Sequence, residues 1–245
     1  MNTRFPKGHF IATALVSLSV LFMAACGGVN IAKPLTPAQI LANSQNPSSL
    51  KDTTFDMTIN VGIGANSIAF TGGGKITRNP NRSDVNFSGS LLGQTFADEI
   101  ITDGNDSYSK STPSTTGDKW LKTTGGASGT SGLGVDPSSL TSFGNLKNVT
   151  LVGTETINGH QAYHLKGTVL SGTPTPVTGT PTASTDTNQE DLWVLTDNFY
   201  PLKVNVVSST TVAGTATTST VVITFKTWNT GITISVPPPS DVTTG

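Results

Sequence analysis

His160 and His164 are the residues whose type most readily does chemistry, since two nearby histidines can share a metal ion. On a strand rising about 3.3 Å per residue they share a face but stand roughly 13 Å apart. They cannot hold one ion together, and they read as surface residues of a hairpin. Gly72-Gly73-Gly74-Lys75 has the outline of a phosphate loop. Ile76 follows the lysine where Ser or Thr is needed, and Ala69 stands where the first glycine belongs. The run lies within a strand hairpin, where glycines bend a sheet or admit something close to the backbone. Asp186, Glu190 and Asp191 form the densest acidic group, but their spacing is not that of an EF-hand loop, and they read as a solvated loop end. No G-x-S-x-G elbow surrounds any serine. The sequence therefore offers no catalytic residue, no metal site and no cofactor motif, and an enzyme is not expected.

The remaining reactive type is cysteine, and the chain has one, Cys26. Arg4 and Lys7 make a small positive start, followed by about 14 nearly uncharged residues from Phe10 to Met23. That stretch is short of the roughly 20 residues that span a hydrocarbon core. Ala24-Ala25 then precede Cys26-Gly27-Gly28. Small residues before a cysteine resemble the lipobox read by lipoprotein signal peptidase, with Met23 where leucine is usual. Residues 1–25 are thus expected to be a signal peptide cleaved between Ala25 and Cys26, and Cys26 to carry the lipid anchor. A lone cysteine cannot close an intramolecular disulfide, and acylation removes an exposed thiol.

Positioning elements follow from the periodicity. Residues 26–35 form a lipidated tether. Thr36 is an N-cap with Pro37 at N1, and Gln39 completes a capping box; Leu35 and Ile40 fit a hydrophobic staple. Asn46-Pro47 ends this short helix. From Thr53 the period becomes two: Phe55, Met57, Ile59, Val61 and Ile63 alternate with polar residues and glycine, the mark of a strand with one buried face. Further strands are expected through Phe70, around Val85 and Phe87, at Gln94–Thr102, Ser107–Lys110 and Lys119–Lys122. A Gly/Ser/Thr loop at 123–134 precedes a second short helix opened by Asp136-Pro137, with Leu140 and Phe143 on it. Val149–Ile157 and His160–Val169 flank Asn158-Gly159, a type I′ hairpin turn. After a Thr/Pro-rich loop at 171–188 come Leu192–Thr196, Leu202–Val207, Thr220–Thr227 and Ile232–Val236. The total is about 10–11 antiparallel strands and two short helices, an α+β but mainly β chain. Its apolar face is covered either by a second sheet or by curling over the helices, and composition does not choose between these.

The formal charge is −1 with no basic patch, which argues against nucleic acid as a partner. Charged residues are only 12%, about half the usual share, which suits an exported strand-rich protein.

Several stretches together resemble the LppX/LprG-type lipoproteins, relatives of the LolA/LolB carriers in fold. These are Ser49-Leu50-Lys51-Asp52-Thr53-Thr54-Phe55-Asp56-Met57, Gly74-Lys75-Ile76 through Asn79-Pro80-Asn81-Arg82, and Gly153-Thr154-Glu155-Thr156-Ile157-Asn158-Gly159. Asp191-Leu192-Trp193-Val194, Tyr200-Pro201-Leu202, and Trp228-Asn229 through Pro237-Pro238-Pro239 complete the likeness. The resemblance implies one domain over 36–240, a curved antiparallel half-barrel wrapped over short helices around an apolar cavity, with a disordered tail at 241–245. It implies a partner that is a lipid or acylated glycolipid. Phe55, Met57, Ile59, Phe70, Phe87, Leu140 and Phe143 are then the cavity candidates, although each fits plain core packing as well. The expected function is a monomeric, membrane-anchored extracytoplasmic lipoprotein that binds or carries lipid. The alternative is an envelope sensing or interaction module with the same fold and a filled core.

Replacing Cys26 by Ser should abolish incorporation of radiolabelled palmitate and release the protein from the membrane fraction. A labelled, sedimenting Cys26→Ser protein would refute the assignment.

Overall fold

Thr36 and Gln39 bond each other reciprocally. The Thr36 N–H donates to Gln39 Oε1 at 2.9 Å, and the Gln39 N–H donates to Thr36 Oγ1 at 3.3 Å. This capping box opens α1 (Pro37–Gln45), which buries Ile40, Leu41 and Ser44. The computed structural model describes residues 34–45, 47–63, 66–91, 93–114, 116–124, 146–169, 187–212 and 215–244. Cys26, the Ala25–Cys26 bond, Leu140, Phe143 and the loop expected at 123–134 beyond Thr124 lie outside them, as does most of the loop expected at 171–188.

The described strands number twelve. They are β1 (Asp52–Ile63), β2 (Asn66–Arg78), β3 (Asn81–Leu91), β4 (Gln94–Asp103), β5 (Asp106–Thr112), β6 (Trp120–Thr124), β7 (Leu146–Ile157), β8 (His160–Val169), β9 (Thr187–Leu195), β10 (Pro201–Val212), β11 (Thr215–Trp228) and β12 (Val242–Thr244). They form one open sheet in the order β12-β6-β5-β4-β3-β2-β1-β11-β10-β9-β8-β7. β1–β6 and β7–β11 are two antiparallel meanders joined where β1 pairs with β11, while β12 pairs with β6 in parallel. Twelve strands at about 4.8 Å would make a flat sheet nearly 60 Å wide. The helix of nine residues is only about 14 Å long. One hydrophobic cluster nevertheless joins Ile40 and Leu41 of α1 to Ile100 on β4 and Leu146 on β7. That connectivity fits a sheet curled over its helix and not a second sheet laid against it.

Three expectations need correction. The described strands are twelve and not 10–11, and one pair, β12 with β6, is parallel. Ile232–Val236 has strand-like alternation but makes no ladder. It crosses the sheet's outer side instead, where Ile234 packs with Ile101 and Tyr108, flanked by Ile232, Val236, Trp120 and Val242. Arg82 Nη1 donates to the Ile234 carbonyl at 2.9 Å. The tail expected to be disordered at 241–245 contains β12, whose Val242, Thr243 and Thr244 pair with Trp120, Leu121 and Lys122. An unpaired sheet edge supplies the backbone partners that periodicity alone does not reveal.

The seam between the two meanders is bolted at one end. Asp52, 6% exposed, accepts hydrogen bonds from the Thr230 and Gly231 N–H groups at 2.8 and 3.1 Å. Asn229 accepts from the Lys51 N–H at 2.7 Å, and its amide donates to the Ser49 carbonyl and the Tyr200 hydroxyl, each at 3.0 Å. Replacing Asp52 by Ala removes the acceptor for both N–H groups and should cost about 2 kcal/mol in urea denaturation. A loss below about 0.5 kcal/mol would show that the bolt is unimportant.

Candidate functional site

Register and side-chain alternation sort the sheet's helix side into rows. The first contains Tyr163, Val194, Phe225, Phe55, Gly74, Val85 and Ile100. The second runs Leu165–Leu192–Val204–Ile223–Met57–Gly72–Phe87–Asp98. The third runs Gly167–Glu190–Val206–Val221–Ile59–Phe70–Gly89–Phe96. Beyond it, Asn188, Ser208 and Ser219 form a polar row beside Val61. Five of the seven cavity candidates therefore share one face. Phe55, Met57, Ile59 and Phe87 are buried in the same cluster, and Phe70 packs half-buried against it.

The glycine run explains how so many aromatic rings fit. A Cβ on Gly74 would stand 2.9 Å from Phe55 Cζ and 2.5 Å from the Asp84 carbonyl oxygen. One on Gly72 would meet the Phe87 backbone at 2.7 Å, and one on Gly89 would meet Phe70 Cδ1 at 2.4 Å. The Phe55 and Phe70 rings thus lie across strand positions that have no side chain, while Gly72 admits the β3 backbone at Phe87. Close approach to the backbone, expected for this run, is what the glycines provide.

Coverage weakens along the strands. Ile59 is 1% exposed, but Val206, Val221, Phe70 and Val61 at the same level or beyond are only half-buried. This is where the face passes from filled core to apolar surface that the described residues leave partly open.

In the third row the reading of Glu190 and Asp191 as a loop end fails, because both lie within β9. Their side chains point to opposite sides of the sheet. Glu190 shares the face of Leu192 and Val194, is 8% exposed, and meets no hydrogen-bond donor or cation among the described residues. Burial, helped by the neighbouring charge of Asp191, pushes its carboxyl up to about 7. The sequence held a signal: Glu190, Leu192 and Val194 alternate in step, but the polar run Thr187-Asn188-Gln189 hides the start of the strand.

Asp191 points outward and joins a cluster that the histidine reading missed. His164 Nε2 lies 2.9 Å from Asp191 Oδ1, and Nδ1 lies 2.6 Å from Glu155 Oε1. Trp193 stacks on the His164 ring with centroids 4.3 Å apart and donates Nε1–H to Glu155 Oε2 at 3.0 Å. Hydrogen bonds from Trp193 and then His164 hold the Glu155 carboxyl below the usual range. Lys203 Nζ sits 4.8 Å from the centre of the Trp193 ring. His164 is thus a bonded member of the outer face and not a bare surface residue. His160 stands apart against Trp228 with centroids 5.7 Å apart. No group of three or more His, Cys, Asp or Glu among the described residues is placed to hold a metal ion.

No family model and no curated protein matches the chain. Solved structures are similar to it. LprF from Mycobacterium bovis shares 16% identity at TM-score 0.47, over 82% of this chain and 96% of that one. The Mycobacterium tuberculosis lipoprotein LppX shares 16% identity at TM-score 0.45, over 81% and 99%. An uncharacterised conserved protein from Thermus thermophilus shares 12% at TM-score 0.42, over 85% and 98%.

The raised Glu190 carboxyl has a signed consequence for stability. Between its ordinary value of 4.5 and about 7 the folded state holds a proton that the unfolded state has released, so stability falls as pH rises through that window. Glu190→Gln should be more stable than the parent by about 3 kcal/mol at pH 8 and nearly equal to it at pH 4. Urea denaturation of both proteins at the two pH values tests this; an equal difference at both would place Glu190 in water.

Proposed function

We propose that the chain is a membrane-anchored extracytoplasmic lipoprotein that binds an acyl-chain lipid against the helix side of its sheet, without catalysis. The observation that carries this reading is the half-buried stretch of the third row. Val206, Val221 and Phe70 extend a tightly packed core into apolar surface that α1 is too short to cover. A soluble protein buries such a surface under its own side chains or under a ligand. Each methylene of a bound chain contributes about 0.8 kcal/mol, so a long chain is held with few polar contacts. Phe55, Met57, Ile59 and Phe87 form the floor in this reading, Phe70 the wall, and Leu140 and Phe143 further lining. Cys26 carries the anchor that keeps this face near the bilayer from which a lipid would come.

Protein lacking residues 1–26, purified from a bacterial membrane background, should retain lipid in near-stoichiometric amount by native mass spectrometry. Phe70→Asp should fold, by circular dichroism, and lose at least tenfold of that lipid. A ligand-free parent protein would instead support a filled core and the interaction-module alternative.

A further inference from the structure

Glu190 is the anomaly of the inner face. Its strand neighbours in the third row are Gly167 and Val206, and Leu192 follows it on β9 in the second. The place of a Gly167 side chain is filled by Leu146, whose Cδ1 would lie 2.7 Å from a Cβ there. The residue thus stands beside aliphatic Leu192 and Val206, with Asn188 as its other same-face neighbour on β9; it is 8% exposed and has no hydrogen-bond donor or cation among the described residues. A protein normally leaves no carboxylate in such a place without a cation or hydrogen-bond donors. The remaining charges on this face sharpen the point. In register with Glu190 across β1–β5 and β8–β11, the described inner positions hold one other carboxyl, Asp98, opposite Phe87 and Ser111. They hold no lysine, and the one arginine in step with them, Arg78, closes the far end of β2. Lys75, Lys122 and Lys226 pair with Asp84, Asp106 and Asp56, and Lys203 lies over the outward Trp193.

We propose that Glu190 is the head-group residue of the lipid site, pairing with a primary ammonium carried directly on a long apolar chain. This rests on the lipid-binding reading above and names the ligand class it selects. A phosphate-bearing or carboxylate-bearing head would find no cation among the described residues on this part of the face. An ammonium finds an acceptor already largely withdrawn from water, beside half-buried Val206 and Val221, where the chain can lie along the third row toward Ile59. The row beyond, with Asn188, Ser208 and Ser219, is polar but uncharged.

The test uses the full chain in non-ionic detergent at pH 8, with hexadecylamine, hexadecanol and palmitic acid as probes at equal concentration, read by native mass spectrometry. The amine should be retained at one per protein and at least tenfold more than the alcohol, with palmitate weakest. Glu190→Gln and the apolar Glu190→Met should each bring the amine-to-alcohol ratio to about one. Asp56→Asn, which removes a carboxylate from the outer face, should leave that ratio unchanged. Alcohol and amine retained equally by the parent, or a ratio that survives both Glu190 substitutions, would overturn the role of Glu190 while leaving lipid binding intact. Retention of none of the three probes would overturn the lipid site itself.

Discussion

Everything on the inner face depends on the pairing of β1 with β11. Each meander is local, built strand by strand through short turns, but the seam joins residues such as Phe55 and Phe225 that are far apart in sequence. Closing so long a loop costs chain entropy, and only the packing formed at the seam can offset it. That packing is large and apolar: Phe55 against Phe225 with ring centroids 6.1 Å apart, Met57 beside Ile223, and Ile59 beside Val221. Neither meander alone would cover its own apolar side, so the two must meet before either has a core. The bonds from Asp52 and Asn229 fix the register at the end where the strands enter the seam, and the rows across the sheet follow from that register.

Much of this frame was legible in the residues. The run Phe55–Ile63 has one physical solution, a strand wet on one side, and it became the centre of the sheet. The capping box at Thr36 formed as its spacing requires, because Thr and Gln three apart on a first turn have few better partners. Asn158 and Gly159 both adopt positive φ, at 51° and 81°, as a tight hairpin demands. What periodicity could not supply was partnership. Ile232, Ile234 and Val236 alternate because they lean on an outer face, which looks the same in sequence as pairing in a ladder. Glu190 alternates with Leu192, but an acidic residue in step with leucines is discounted unless the strand is already known.

Glu190 and Asp191 show how the two faces of the sheet are held to different standards. Outside, the carboxylate is satisfied by His164, and an aromatic ring and a second carboxylate complete the arrangement. Inside, one residue away, a buried carboxyl has no donor or cation among the described residues, and its neighbour's charge adds to the cost of ionising it. A structure selected for stability alone would place a leucine there. The glycines at 74 and 89 point the same way, since they give up backbone rigidity so that the Phe55 and Phe70 rings can lie over them.

An open sheet always has two ends, and a long ladder left bare invites another chain to continue it. Here both ends are poor templates. β7 carries register shifts between Lys147 and Thr150 and between Leu151 and Gly153, so its outer hydrogen-bonding groups do not present an even row. At the other end the edge strand is β12, only three residues long. A passing strand would find an interrupted ladder on one side and almost none on the other. Both features work against edge-to-edge extension of the sheet.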